Sequence, residues 1–330
     1  MVSVIHSEPK ITCVGGGTGT FVVLSGLKKY CRPSAVVSMA DSGGSTGRLR
    51  DEFGILPPGD VRQALVALSS EDKAPTLRRL FSYRFSRLGS LYGHNFGNLF
   101  LTALSDILGG EDRAIEEAGR ILGVRGHVFP VTLDNIQLMA EYKDGEQVLG
   151  EGAIDDRKDS SNGGIKNLSL VPRARLFVGA KKALLDSDLI VIGPGDVFTS
   201  LLPNLLVEGV CGALSRTPAR LVYVVNLVTK RGQTDGFSAR DHLELVEKYL
   251  GREFDFVLVN RAPIPDEVWE HYESKGEFPV EDDLTGSRIV RGDFLSARIH
   301  RNLESDKARR SLIRHDPDKL ARALLTLLAG

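Results

Sequence analysis

Residues 10–20 read KITCVGGGTGT, and the apolar run Phe21–Leu24 follows at once. The spacing predicts a strand over Lys10–Val14 and a helix over Thr20–Tyr30, with the glycines as the turn between them. A strand, a glycine-rich turn and a helix in that order open an α/β fold. The same rhythm returns further along. Ala35–Ala40 reads as a second strand. Leu189–Ile192, Leu221–Asn226 and Phe256–Asn260 are continuous apolar runs of the kind buried on both faces of a parallel sheet. Helices are expected after them over Ser200–Leu214, Ala239–Leu250 and Pro265–Lys275. Arg288–Val290 is expected as a late edge strand and Asp318–Leu328 as a closing helix.

Between the two halves the pattern changes. Apolar residues three and four apart predict helices over Val61–Ser69, Pro75–Ser82, Asn95–Leu108 and Glu111–Gly123. His127–Val131 and Ile136–Lys143 read as strands, and Asp144-Gly145 turns the chain into Gln147–Glu151. Asp155–Asn167 is polar and glycine-bearing and is expected as a mobile loop. The whole reads as one α/β domain over residues 1–330, Rossmann-like and doubly wound with a mainly parallel sheet. A helical insertion is expected at about 60–123 and a small β excursion at about 127–170.

Composition narrows the function. Forty-two Lys and Arg against 43 Asp and Glu give a formal charge of −1, which argues against nucleic acid as a partner. Three cysteines without CxxC spacing, Cys13, Cys31 and Cys211, fit a reducing compartment better than a zinc site or a disulfide framework. No signal peptide or membrane span is legible, so the expected location is the cytoplasm. Self-association into a homo-oligomer is expected, as is common for such proteins.

Ligands of such sheets bind where strands end and helices begin. Five strand ends here carry small, amide or hydroxyl residues. They are Gly15–Thr20, Asp41–Arg48, Gly193-Pro194-Gly195-Asp196 with Thr199-Ser200, Asn226 with Thr229–Gly236, and Asn260-Arg261. In the first, Gly17, Thr18, Gly19 and Thr20 point backbone N–H groups at an anion, and the helix dipole assists. A phosphate or diphosphate is the natural guest. The pattern is not the dinucleotide fingerprint, because the sixth position from Gly15 is Thr20, and no Gly-Lys-Ser/Thr follows for a P-loop. An NAD-dependent dehydrogenase is therefore disfavoured, although Asp41 lies where a ribose-binding acid would stand.

In the second turn Ser42, Gly43, Gly44 and Ser45 permit close approach and donate hydroxyls, and Arg48 suits a phosphate. Asp41 suits a ribose hydroxyl or a divalent ion. Asn95 is placed to cap the following helix, and Asn95 or Asn98 to bind a base, sugar or phosphate. His94 fits a structural role or acid–base work. Asp60 reads as a helix N-cap, the acid pairs Asp155-Asp156 and Asp282-Asp283 as solvated, and Trp269 as packing.

Seven segments in register resemble the YvcK family, related to the 2-phospho-L-lactate transferase CofD. They are residues 14–20 (VGGGTGT), 41–50 (DSGGSTGRLR), 56–62 (LPPGDVR), 93–98 (GHNFGN), 193–195 (GPG) with Thr199-Ser200, 232–236 (GQTDG) and 313–316 (IRHD). The resemblance spans nearly the whole chain. It implies a Rossmann-like cleft for a nucleotide diphosphate. It further implies binding of a UDP-sugar, especially UDP-N-acetylglucosamine, and a regulatory link to carbon metabolism, cell shape and the cell wall. Carried over, Gly17, Thr18 and Gly19 cradle the diphosphate with Ser42–Ser45 across the cleft. Gly193 and Gly195 belong to the same cleft, and Asn226, Thr234 and Asp235 line the sugar or base end. Tyr272 supplies an aromatic face and Arg314 a guanidinium.

Two departures bear on metal binding. The family's usual pair of acids after the second strand is Asp41-Ser42 here, and Gly232-Gln233-Thr234 stands where Gly-Glu-Thr is more common. Both remove a carboxylate, which disfavours gripping Mg²⁺ on protein ligands alone. The resemblance thus implies a sensor that needs no cofactor. The alternative is a transferase moving a phospho-containing group from a nucleotide diphosphate, with Asp41 and Mg²⁺ at the leaving diphosphate. No regulatory protein partner is legible.

Overall fold

The computed structural model describes residues 8–70, 75–158, 164–299 and 311–329. Its strands are β1 Ile11–Gly15, β2 Ser34–Val37, β3 His127–Pro130, β4 Gln137–Tyr142, β5 Gln147–Leu149, β6 Ile165–Val171, β7 Leu189–Ile192, β8 Arg220–Val224, β9 Phe256–Asn260 and β10 Ile289–Gly292. Seven of them form one sheet in the order β10-β9-β8-β7-β1-β2-β3. Every pairing in it is parallel. Every residue of β1 and β7 is buried, which is why neither strand alternates apolar with polar residues. Helices cover the sheet, and the closing helix Pro317–Ala329 packs on Gly17–Leu27. This is the Rossmann-like α/β arrangement that the apolar runs predict.

The strand order reverses between β1 and β7. The chain leaves β1 toward β2 and β3 on one side, and β7 leads to β8, β9 and β10 on the other. Loops at the carboxyl ends of strands on either side of such a reversal diverge and leave a crevice.

Several boundaries differ from those the sequence suggests. β3 pairs in parallel with β2, so it belongs to the main sheet. The β excursion begins at β4 and is a three-stranded antiparallel sheet, β5-β4-β6. The expected loop over Asp155–Asn167 is ordered at both ends, with a helix over Glu151–Asp156 and β6 from Ile165; residues 159–163 lie outside the described chain. Gly44–Phe53, read as part of a turn, is a helix ended by Gly54 in the left-handed conformation. The expected helix Ser200–Leu214 is broken into a π-helical turn Val197–Leu201, a short helix Leu202–Leu205 and a third piece Val210–Arg216. Pro203, without an N–H, and Gly209, at φ +99, account for the breaks. A helix over Val178–Leu185 also escaped the sequence pattern. No helix among the described residues is long and apolar enough to cross a membrane.

Candidate functional site

The crevice at the β1/β7 reversal opens into a cavity of about 470 Å³, within the size range of nucleotide-scale ligand sites. Its floor is the turn after β1. Gly17 has φ +62, a conformation glycine adopts without steric cost. Gly19 faces the loop after β7 so closely that a Cβ on it would lie 1.9 Å from the Pro194 carbonyl oxygen. The two loops flanking the reversal thus touch, and only glycine fits between them. The Asn226 carboxamide, after β8, accepts from the Gly195 N–H at 3.4 Å and joins the third loop.

Of the residues expected in the site, Gly17, Thr18, Gly19, Asp41, Gly195, Asn226, Tyr272 and Arg314 line this cavity. Tyr272 is buried, with its hydroxyl accepting from the Leu312 and Ile313 N–H groups. It therefore holds the segment that carries Arg314. The remaining residues lie elsewhere for identifiable reasons. Thr20 is buried behind the turn, against Gly15. Gly193 sits beneath the loop against the Val224 carbonyl. Ser42 Oγ accepts from the Gly152 N–H at 3.0 Å, so the Glu151–Asp156 helix lies on the Ser42–Gly43 turn.

Gly44 begins a helix that carries Ser45 and Arg48 away from the cavity. Ser45 Oγ is engaged with His94 Nδ1 at 3.3 Å and accepts from Asn98 Nδ2 at 3.3 Å. Arg48 is exposed and donates to the Tyr92 carbonyl. Asn95 caps the helix Phe96–Leu108 as its sequence suggests, and Asn98 accepts from Arg62 Nε at 2.8 Å. Thr234 Oγ1 accepts from the Lys230 N–H, and Asp235 from the Gly232 N–H. Both hold the turn after β8 in shape without facing the cavity. Trp269 packs edge-on against Phe278.

What the sequence did not reveal is a wall of carboxylates. Asp60, Glu151, Asp155 and Asp196 all line the cavity. Asp60 does not cap its helix, whose N-cap is Pro57; it accepts from the Gly17 N–H at 2.8 Å, 43 residues away. Asp155 is not merely solvated. It pairs with the Lys230 ammonium, which also holds Asp196. Asp282 and Asp283 are likewise engaged, with Arg291 and Arg240. Burial drives the Glu151 carboxyl well above the usual carboxylate range, and the charges of Asp41, Asp155 and Asp60 push it the same way. Burial also raises Asp41, against the opposing Gly43 N–H and Thr46 hydrogen bonds and Arg50. Glu151 gave no motif signal because its helix is short and polar. Asp196 and Lys230, by contrast, sit within turns already marked by their glycines.

The far end of the cavity is built by the helix Asp266–Glu273 and residues 311–315. His315 lies there 5% exposed, with Nε2 lacking a partner among the described residues. Burial lowers its pKa to about 4, so the ring is neutral at neutral pH. The cavity thus has a floor of glycine-turn backbone, a group of carboxylates suited to accepting hydroxyl hydrogens, and a distant end with an aromatic ring, a guanidinium and a neutral imidazole.

Comparison with known proteins places this geometry in a lineage. The family model described as 2-phospho-L-lactate transferase CofD matches residues 11–297. The gluconeogenesis factor of Bacillus subtilis is 38% identical over 97% of this chain and 98% of its own. That of Listeria innocua is 38% identical over 98% of this chain and 97% of its own. A crystal structure of a UPF0052-family protein from Bacillus halodurans superposes with a TM-score of 0.87. It shares 38% identity and covers 97% of this chain and 99% of that one.

Proposed function

Because the chain belongs to the CofD family, we propose that it is a nucleotide-sugar-binding regulatory protein of carbon metabolism, with UDP-N-acetylglucosamine as its expected ligand. The gluconeogenesis-factor relatives support the metabolic setting; the links to cell shape and cell-wall control rest on the resemblance. The observation that carries the reading is the pairing of an anion-binding turn with a wall of carboxylates in one cavity. The Gly17 N–H is taken by Asp60, and the Thr18 and Gly19 N–H groups that follow in the first turn of the helix suit a diphosphate. Asp60 at the turn and Asp155 disfavour a further anion, and with Glu151, whose carboxyl pKa burial raises, they offer hydrogen-bond partners to hydroxyls. A neutral, hydroxyl-rich group joined to a diphosphate satisfies both halves.

The second reading, a transferase acting on a nucleotide diphosphate donor, is favoured by the description of the matching family and by Asp41 beside the turn. Asp41 Oδ1 accepts from the Gly43 N–H at 2.9 Å. Among the described residues no three His, Cys, Asp or Glu side chains stand close enough to hold a metal ion. The two readings separate on prolonged incubation of the protein with UDP-N-acetylglucosamine, followed by chromatography. Saturable binding with the nucleotide sugar recovered intact is expected; steady release of UDP or UMP would replace the sensor with the transferase.

A further inference from the structure

Lys230 lies on the loop after β8 with its side chain 17% exposed, and its ammonium donates to both Asp155 and Asp196. The two carboxylates differ in how firmly they are held. Asp155 also accepts from Gln233 Nε2 at 3.1 Å, and its carbonyl accepts from Lys158 Nζ. The Arg157 carbonyl behind it presses on Gly232, where a Cβ would come within 2.3 Å. Among the described residues the Asp196 carboxylate has no other side-chain partner; it is 40% exposed and stands one residue beyond Gly195 on the loop that touches Gly19. One ammonium between two carboxylates leaves a net negative charge beside the anion-binding turn. A diphosphate arriving there meets repulsion unless it takes over the cation. It carries more charge than a single carboxylate and makes stronger charge-assisted hydrogen bonds.

We propose that Lys230 is a phosphate-binding residue held ready by Asp155, and that Asp196 occupies the position on it which the ligand's diphosphate takes. Asp155 aims the ammonium and Asp196 competes with the ligand, turning out toward water when the ligand binds. This rests on the diphosphate reading of the same cavity and adds to it the residue that neutralises the ligand's charge.

The test is calorimetric titration with UDP of the full chain and of Lys230→Met, Asp196→Asn, Asp155→Asn and the Lys230→Met/Asp196→Asn double variant, with a thermal melt of each. Lys230→Met should weaken binding at least about tenfold, as loss of a charge-assisted contact does. Asp155→Asn should also weaken it, because the ammonium loses its aim. Asp196→Asn should bind UDP several-fold more tightly, and this gain should vanish in the double variant, the signature of direct coupling. A gain that persists undiminished without Lys230 would be a general charge effect and would overturn the proposal. So would UDP binding within twofold of the parent in Lys230→Met. Should Lys230→Met melt early, the opposed signs of Asp196→Asn and Asp155→Asn decide, and two changes in the same direction overturn it. If the parent protein binds neither UDP nor inorganic pyrophosphate, the diphosphate reading itself fails and takes this proposal with it.

Discussion

Glu151 lines the cavity at a cost in stability. Its carboxyl pKa is raised by burial first and by the charges of Asp41, Asp155 and Asp60 next. Below the ordinary carboxylate range both folded and unfolded chains hold the proton, and Glu151 costs nothing. As pH rises the unfolded chain releases its proton first, so stability falls until the folded carboxyl also ionises. Glu151→Gln should therefore stabilise the protein at pH 7, and the gain should shrink as pH falls through the ordinary carboxylate range. Urea unfolding of both proteins across that range checks this; parallel curves would mean that Glu151 is not strained. His315 works in the opposite direction. Its pKa is lowered to about 4 by burial, so the unfolded chain takes up a proton first as pH falls below about 6.5. Stability should drop by about 3 kcal/mol between pH 6.5 and 4 on this account, and His315→Gln should flatten that limb.

Among the secondary elements, contacts to the backbone and the Lys230 ion pairs together shape the cavity. Gly19→Ala would drive a methyl into the Pro194 carbonyl, forcing the Gly17–Leu27 helix off the β7 loop. Overpacking of this kind costs roughly 1–3 kcal/mol, and a lowered melting temperature with lost UDP binding is the expected pair of results. An unchanged melt would show that the loops yield freely. Tyr272→Phe removes the hydroxyl that accepts from the Leu312 and Ile313 N–H groups. It should cost about 1–2 kcal/mol and weaken the UDP-sugar more than pyrophosphate, because the loosened segment carries Arg314. Equal weakening of both would make Tyr272 structural only. The elements themselves were unevenly legible. β7 announces itself as an unbroken apolar run, β1 as a short apolar run interrupted only by Thr12, and Gly15–Gly19 as a turn. Glu151–Asp156 is too short to show a period, and Gly44–Phe53 begins with four residues, Gly-Ser-Thr-Gly, that usually mark loops.

Across the whole molecule, the parallel order β3-β2-β1-β7-β8-β9-β10 explains why a site assembled from residues 16 to 315 was only half readable. Strand ends can be read one at a time, and each of the first four glycine-bearing turns delivers a residue to the cavity. Which side chains face one another across it depends on the crossovers. Asp60 reaches Gly17 across 43 residues, and Asp155 reaches Lys230 across 75; no local pattern encodes either meeting. The formal charge of −1 likewise conceals a cavity whose carboxylates gather on one wall.

The function proposed for this cavity is binding of a nucleotide sugar through its diphosphate without a metal. Calorimetric titration with UDP-N-acetylglucosamine, UDP, GDP and NAD, each with and without Mg²⁺, tests it most directly. Saturable binding of the UDP-sugar in the absence of Mg²⁺, tighter than GDP and with no response to NAD, is the predicted result. Binding of a free nucleoside diphosphate only when Mg²⁺ is present, with none of the UDP-sugar, would contradict it.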